Sequence, residues 1–297
     1  MIEQQSGGVR YLQFSHYRHF PDLTHGIFTR QGGCSLAPYS SLNTSTPPFK
    51  QGDSIDNVIR NRILALQALD LADYPCVTLW QVHSADIAIY DASNAWRTDW
   101  ANRSYYELAW TPATIHKADA LITREHGVAI ALSFADCVPI LLYDPVERVM
   151  AQAHGGWRGT ARGIGAATVA AMNQQFGCLP SNILAGIGPA IGSCCYEVGE
   201  TVQRLFLGQL QFDTQPAEQY RDLVHASAVF STLSLSNRKS LRLDLQATNR
   251  NQLLMAGLLP EHIEVMAVCT SCANELFFSH RAEQGKTGRF PVLIALS

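Results

Sequence analysis

Residues 118–154 read ADALITREHGVAIALSFADCVPILLYDPVERVMAQAH, and this stretch decides the fold class. It contains four short apolar runs separated by charged or turn-forming residues, at 118–123, 128–134, 138–143 and 149–153. Short apolar runs bounded by turn signals are typical of strands that are buried on both faces. We therefore predict four consecutive buried strands in the centre of the chain.

The flanking sequence adds helices to these strands. Between residues 54 and 71, apolar residues recur mostly at spacings of three and four, which predicts an amphipathic helix with Asp53 or Ser54 at its N-cap. Further helices are predicted at 160–176, 198–207 and 245–258, and further strands at 183–187, 263–268 and 290–296. Strands grouped in the centre with helices around them favour an α+β fold, a layered sandwich of mixed β-sheets flanked by helices.

Length and composition fit one domain that spans residues 1–297, because 47% of the chain is hydrophobic and 16% is charged. The polar stretch 91–117 predicts a surface insertion in that domain. A formal net charge of −3 without a Lys/Arg cluster argues against nucleic acid as a partner. The sequence shows neither a signal peptide nor an apolar run of the ~20 residues that a membrane span needs. We therefore predict a cytoplasmic protein without membrane contact, whose eight cysteines remain thiols.

Short apolar pieces at 78–80 and 87–90 predict two further strands, which flank His83. Three reactive side chains, His83, Cys137 and His154, therefore each lie at the edge of a predicted strand. Two histidines and one cysteine match the ligand set of a catalytic zinc, which takes three protein ligands and leaves a fourth position open. A rival interpretation makes Cys137 a nucleophile beside one of the histidines, with Asp136 or Asp86 orienting the imidazole. Cys137 as a small buried hydrophobe is a third reading. The wide sequence spacing leaves all three open.

Glycines follow His154 in His154-Gly155-Gly156-Trp157-Arg158-Gly159, just before a predicted helix. Free backbone N–H groups and the Arg158 guanidinium there suit an anion such as phosphate, although a tight turn explains the glycines equally well. The segments 277–281 and 285–289 carry aromatic and cationic residues that either hold an aromatic ring and an anion or form a solvated loop.

The remaining cysteine pairs receive a structural interpretation. Cys269 and Cys272 have C-x-x-C spacing, but no second pair with this spacing is present to complete a closed zinc site. Cys194 and Cys195 are adjacent, which strains a mutual disulfide. We predict that these four residues serve packing.

Taken together, the motifs resemble the YfiH-type laccase-domain family, also called the multicopper polyphenol oxidoreductase family, whose members are described as purine nucleoside phosphorylases. The resemblance spans the chain. Its motifs are Thr29-Arg30-Gln31-Gly32-Gly33-Cys34-Ser35 with Ser41-Leu42-Asn43, Gln81-Val82-His83, Ala118-Asp119-Ala120-Leu121-Ile122-Thr123, Ala135-Asp136-Cys137-Val138-Pro139, His154-Gly155-Gly156-Trp157-Arg158-Gly159-Thr160, Gly186-Ile187-Gly188-Pro189-Ala190-Ile191-Gly192 with Cys195-Tyr196-Glu197-Val198, Cys269-Thr270, Phe277-Phe278-Ser279 and Gly288-Arg289. Departures from the family pattern are Gly155 for alanine, His280 for tyrosine and the stretch 91–117.

The resemblance implies that His83, Cys137 and His154 are catalytic residues and metal ligands, with zinc preferred over copper. It implies a layered α+β sandwich shared with toxin-type cysteine hydrolases. It further implies phosphorolysis of adenosine, inosine, guanosine and methylthioadenosine to free base and ribose 1-phosphate, together with adenosine deamination. We assign substrate and phosphate binding to Arg30, Asn43, Arg158 and Arg289. We expect a monomer or a small homo-oligomer.

Three alternatives remain at this level. Four-copper phenol oxidation, as in a laccase, needs many histidines, commonly in His-x-His pairs, and the ten histidines here form no such pair. A cysteine hydrolase would use Cys137 to attack peptides or cell-wall precursors. A metal-binding module without turnover would use the same ligands.

Overall fold

A computed structural model describes residues 1–45, 52–93, 96, 98–103, 116–210, 220–235 and 238–297. In this part of the chain the strands are β1 (Ile2–Ser6), β2 (Val9–Gln13), β3 (Leu23–Phe28), β4 (Cys76–Val77), β5 (Ile87–Ile89), β6 (Ala120–Thr123), β7 (Val128–Phe134), β8 (Val138–Asp144), β9 (Val149–Gly155), β10 (Leu184–Ile187), β11 (Phe230–Leu235), β12 (Arg238–Leu243), β13 (Ile263–Val265) and β14 (Phe290–Leu296). The α-helices are α1 (Ile55–Ala68), α2 (Trp157–Thr160), α3 (Ile164–Phe176), α4 (Glu200–Phe206), α5 (Arg221–Ser227) and α6 (Leu245–Met255).

Most of the strands form two mixed sheets. The first has the order β1-β2-β3-β14-β7-β4, and the second has the order β13-β10-β8-β9-β6-β5. Neighbouring strands are antiparallel except at three sheet edges. In the first sheet β4 is parallel to β7, and in the second sheet β5 is parallel to β6 and β13 to β10. The four predicted central strands are confirmed as β6 to β9, and the chain crosses from the first sheet to the second between β7 and β8.

The sheets stack face to face, and helices cover their outer faces. Leu132 of β7, Leu141 of β8 and Ile294 of β14 belong to one buried cluster between the sheets. Outside the first sheet, α1 packs through Leu66 and its neighbours, and outside the second sheet α3 and α6 pack on the even-numbered residues of β8. Because β7, β8 and β9 are covered on both faces, their sequences are continuous apolar runs instead of alternating ones. The predicted layered α+β sandwich is confirmed.

Several element boundaries differ from the prediction. The helix predicted at 160–176 is interrupted between α2 and α3, because Gly163 has the left-handed conformation with φ +75°. Glycine is needed there, since a Cβ would also meet Tyr220 Cβ at 3.0 Å. The helix predicted at 245–258 ends at Met255, and Gly257 follows with φ +100°. The strand predicted at 263–268 ends at Val265.

The predicted insertion 91–117 lies partly outside the described residues, which here are 91–93, 96, 98–103 and 116–117. Within them, Trp100 is 1% exposed and its carbonyl accepts a hydrogen bond from Arg62 Nη1 of α1 at 2.6 Å. The single-domain assignment stays a prediction. Nowhere in the described ranges is there a helix with the length and apolar character to cross a lipid bilayer.

A buried histidine makes the fold sensitive to acid. His25 of β3 is 2% exposed, and its Nε2 accepts a hydrogen bond from Phe14 N–H at 2.8 Å. Burial lowers the pKa of His25 to about 3, so the folded protein keeps this ring neutral. In the unfolded chain the ring protonates below about pH 6.5. Stability that is present above pH 6.5 is therefore lost as the pH falls towards about 3.

We predict that His25→Gln removes much of this pH dependence, since a glutamine oxygen can accept the same hydrogen bond without titrating. In urea unfolding, the loss of unfolding free energy between pH 7 and pH 4.5 should be about 2 kcal/mol smaller in His25→Gln than in the wild type. His225→Gln, at an exposed position of α5, is the control. An identical pH dependence in His25→Gln and the wild type would contradict the assignment.

Candidate active site

Strand pairing brings Cys137 and His154 together at one end of the second sheet. In the antiparallel pair of β8 and β9, Val138 faces Gly155 and Pro139 faces His154, and Cys137 directly precedes β8. The chain then passes close to both side chains at Gly156. A Cβ at Gly156 would lie 3.1 Å from Cys137 Sγ and 2.9 Å from His83 Cδ2, so only glycine fits there without displacement.

The carboxylate of Asp119 fixes both histidines. Asp119 is fully buried, and its Oδ1 lies 2.8 Å from His154 Nδ1. Its Oδ2 accepts hydrogen bonds from Val82 N–H at 3.2 Å, Ser84 N–H at 2.5 Å and Ser84 Oγ at 3.0 Å. His83 lies between Val82 and Ser84 in the sequence and has a φ of +62°. Asp119 therefore orients the ring of His154 and clamps the turn that carries His83.

The three reactive atoms form a triangle with the size of a metal site. His83 Nε2 lies 4.0 Å from Cys137 Sγ, and the ligand atoms of His83, Cys137 and His154 all lie within 4.8 Å of one another. In a tetrahedral zinc site with Zn–N and Zn–S bonds of about 2.0 and 2.3 Å, the N···S edge is about 3.6 Å. Because Nδ1 of His154 is bound to Asp119, its Nε2 remains for coordination. The residues fit a zinc ion after a small contraction of the triangle.

Without metal, Cys137 and His154 stabilise each other in their charged forms. Burial raises the pKa of the Cys137 thiol, but His154 and His83 outweigh it and lower the pKa to about 6. Burial lowers the pKa of His154, but Cys137 and Asp119 outweigh it and raise the pKa to about 9. Without metal, the pair is therefore a thiolate and an imidazolium near pH 7. A thiolate is the form of cysteine that binds metals and attacks electrophiles.

The triangle opens into a cavity of about 500 Å³, a volume in the range of small-molecule sites. Its lining includes the guanidinium groups of Arg158, Arg281 and Arg289 and the rings of Trp157 and Tyr196. No carboxylate in the described part of the chain forms an ion pair with Arg158 or Arg289. Both cations are thus available to an anionic ligand.

The other two predicted binding residues do not line this cavity. Arg30 lies at a different surface, where its Nη2 pairs with Glu283 Oε1 at 3.0 Å. Asn43 is fully buried, and its Oδ1 accepts a hydrogen bond from Arg289 N–H at 2.8 Å. Asn43 therefore contacts the backbone of a cavity residue, whereas Arg30 does not reach the reactive triangle.

Two interpretations from the sequence need correction. The interpretation of Cys137 as a nucleophile named Asp136 or Asp86 as the carboxylate that orients the imidazole, but Asp136 accepts hydrogen bonds from Thr270 Oγ1 and Arg281 N–H, both at 2.7 Å. Asp119 instead orients the imidazole of His154. Phe277 and Phe278 are buried in the core, so neither ring can hold a ligand, whereas His280, Arg281 and Arg289 line the cavity.

Sequence reasoning missed Asp119 and Tyr196 as individual site residues. Asp119 lies in a motif of the family resemblance and directly before an apolar run, where turn residues are also common, so neither feature singled out a role for it. Tyr196 also lies in a motif of the resemblance, but its place in the cavity depends on the tertiary contacts of a loop.

Comparisons with known proteins agree with this architecture. Residues 24–297 match a protein family described as multi-copper polyphenol oxidoreductase laccase. The chain is 36% identical over 275 residues to purine nucleoside phosphorylase YlmD of Geobacillus stearothermophilus, covering 93% of this chain and 90% of that one. It is 33% identical over 268 residues to purine nucleoside phosphorylase YfiH of Escherichia coli, covering 90% and 91%.

Two solved structures are similar to this chain over nearly its whole length. The crystal structure of YlmD from Geobacillus stearothermophilus matches with a TM-score of 0.80 and 34% identity over 99% of this chain and 98% of that one. The crystal structure of the Bacillus licheniformis hypothetical protein YfiH matches with a TM-score of 0.79 and 33% identity over 99% of both chains.

We predict that Asp119→Asn raises the pKa of Cys137 in metal-stripped protein. Loss of the carboxylate charge makes the imidazolium of His154 less stable, and this imidazolium holds the thiol pKa at about 6. The midpoint of iodoacetamide labelling of the Cys137 peptide against pH should rise by about one unit. Asp144→Asn, a buried aspartate at the other end of β8, is the control. An unshifted midpoint in Asp119→Asn would show that Asp119 does not act through His154.

Proposed function

The chain belongs to the multi-copper polyphenol oxidoreductase laccase family, and we propose that it is a zinc-dependent purine nucleoside phosphorylase. The proposed reaction converts adenosine, inosine, guanosine or methylthioadenosine and phosphate to free base and ribose 1-phosphate, with adenosine deamination as a second activity. The observation that carries the proposal is the shared cavity, which joins His83, Cys137 and His154 to Arg158 and Arg289, two cations that form no ion pair with a carboxylate of the described residues. A cytoplasmic location remains a prediction.

Phosphate is assigned to Arg158 and Arg289. Both guanidinium groups line the cavity, and paired N–H donors suit phosphate oxygens. Holding phosphate there would orient one of its oxygens towards the anomeric carbon of a bound nucleoside and lower the entropic cost of the encounter. Asn43 contributes indirectly, because its Oδ1 accepts the backbone N–H of Arg289 at 2.8 Å.

The base is assigned to the polar and aromatic wall of the cavity. We assign stacking of the purine to Trp157, whose ring lines the cavity and also contacts the Arg158 guanidinium at 4.4 Å. Burial and the neighbouring Arg289 lower the pKa of His280, so its ring is neutral at pH 7 and can exchange hydrogen bonds with the base. Burial and the charge of Cys137 raise the pKa of Tyr196, so its hydroxyl remains a donor. These donors can stabilise the negative charge that develops on the base as the C–N bond breaks.

His83, Cys137 and His154 would hold the zinc ion. When bound, zinc supplies a Lewis acid that polarises substrate atoms and acidifies water for the deamination. Asp119 keeps Nδ1 of His154 occupied at 2.8 Å, so the ring presents Nε2 to the cavity in a fixed orientation.

A second candidate is a cysteine hydrolase, and one observation favours it. Asp119, His154 and Cys137 form an acid–imidazole–thiol series, and the pKa of Cys137 is lowered to about 6 by the two histidines against the effect of burial. This candidate needs no phosphate, which separates it from the phosphorylase. A module that binds metal without turnover would release no product in either assay.

We predict that purified protein releases hypoxanthine from inosine and adenine from adenosine only when phosphate is present. Chromatography of the products with and without phosphate measures this directly, and ribose 1-phosphate should appear in equal amount with the base. Conversion of adenosine to inosine should proceed without phosphate. Base release that is equally fast in phosphate-free buffer would contradict the phosphorylase and favour a hydrolase.

We predict that Arg158→Gln and Arg289→Gln each raise the KM for phosphate about tenfold or more, since each substitution removes charge-assisted hydrogen bonds. Adenosine deamination, which consumes no phosphate, should change much less. Arg30→Gln is the matched control, because Arg30 lies outside the cavity and pairs with Glu283 at 3.0 Å. A raised phosphate KM in Arg30→Gln alone would instead assign phosphate to Arg30.

A further inference from the structure

Four cysteines form a second sulfur cluster outside the reactive triangle. The Sγ atoms of Cys194, Cys195, Cys269 and Cys272 all lie within 4.8 Å of one another. Cys272 Sγ is 3.5 Å from Cys194 Sγ and 3.4 Å from Cys195 Sγ. The sequence interpretation treated the two pairs separately and assigned them to packing, and the structure corrects that separation.

Strand pairing explains the cluster. β10 and β13 are parallel neighbours, with Ala185 opposite Ile263, so the segments that follow them leave the sheet at the same end. A further parallel bridge joins Ala190 to Cys269. An adjacent pair of cysteines after one strand thereby meets a C-x-x-C pair after the other.

We propose that Cys194, Cys195, Cys269 and Cys272 bind a structural zinc ion in a closed four-thiolate site. Four Zn–S bonds of about 2.3 Å in a tetrahedron place the sulfur atoms about 3.8 Å apart. The sulfur distances of 3.4 and 3.5 Å and the upper limit of 4.8 Å lie on either side of this value. Four protein ligands leave no open position, which is the pattern of structural zinc.

The surroundings are those of a thiolate cluster. Gly192 N–H donates to Cys269 Sγ at 3.2 Å, and a side chain at Gly192 would meet Cys194 Sγ at 3.2 Å. Four thiolates and one Zn²⁺ carry a net charge of about −2. Two guanidinium groups lie beside them, because Arg242 Nη1 donates to the carbonyl of Cys194 at 3.2 Å and Arg281 Nη1 to that of Cys195 at 3.5 Å.

Other uses of the four thiols fit less well. Cys194 and Cys272 are exposed, so the cluster gains little from apolar packing and leaves two thiols open to oxidation. The sulfur pairs at 3.4 and 3.5 Å share Cys272, so one disulfide there would leave two thiols beside it. Zinc employs all four sulfurs in one site.

The site has a structural consequence for the cavity. Tyr196 directly follows Cys195, and Cys272 precedes the segment that leads to His280 and Arg281. All three lie on the wall of the cavity, in a region with little regular secondary structure. A metal clip that joins the two segments would supply the folding free energy that strand pairing does not provide there.

The test measures zinc per chain by elemental mass spectrometry in protein purified without chelator. Cys194→Ser and Cys272→Ser should each lose about one zinc relative to the wild type. Cys34→Ser, a half-buried thiol outside both clusters, is the matched control and should keep the wild-type content. In Cys137→Ala/His154→Ala, which lacks the proposed catalytic site, about one zinc should remain and should disappear when Cys272→Ser is added. Because this double variant lacks the proposed catalytic site, its zinc content tests the four-cysteine site independently of the proposed function.

Peptide-mapped alkylation of wild-type protein provides a readout that needs no variant to fold. The four cysteines should react at least about tenfold faster after a chelator is added, and all four together. Equal labelling before and after chelation would overturn the proposal. Iron in place of zinc, a disulfide within the cluster in freshly purified protein, or an unchanged zinc content in both Cys194→Ser and Cys272→Ser would also overturn it.

Discussion

The Asp119 carboxylate is fully buried and accepts hydrogen bonds from the turn that carries His83, while its other oxygen bonds to the ring of His154. Burial of a carboxylate opposes its ionisation, yet His154 and Ser84 outweigh burial and the pKa of Asp119 is lowered. A buried carboxylate without these partners would instead take up a proton or destabilise the fold. The geometry of both histidines therefore depends on one charge at the start of β6.

The two-sheet architecture supplies the rest of the site. The chain leaves the first sheet at Phe134 and enters the second at Val138, so Cys137 lies in the crossing between the layers. Within this crossing, Asp136 has φ +83°, a conformation that is costly for a residue other than glycine. Its carboxylate accepts hydrogen bonds from Thr270 and Arg281, and these contacts offset the cost. The crossing holds Cys137 beside β9 and next to the triangle's two histidines.

The sequence predicted what depends on local pattern. Strands buried on both faces need no polar alternation, so their apolar runs were visible directly, and α1 was visible from its apolar spacing. The break at Gly163 was not, because a glycine can also lie inside a helix, and its left-handed conformation of φ +75° is visible only in the structure. For a related reason the sequence did not reveal the contacts of Asp119 or the proximity of the four cysteines, because their partners are distant in sequence and adjacent only through strand pairing.

The two sulfur-containing clusters illustrate how ligand number separates chemical roles in one chain. The triangle of His83, Cys137 and His154 has three ligands and faces a cavity, so a metal there keeps a position for substrate. The four-cysteine cluster would surround its metal completely and face loops. A closed four-sulfur site suits a structural role, because no coordination position is open to solvent or substrate. An open nitrogen–sulfur site suits catalysis, because its fourth position can exchange water for substrate. Tyr196 connects the two, since it follows one ligand of the closed cluster and lines the cavity of the open one.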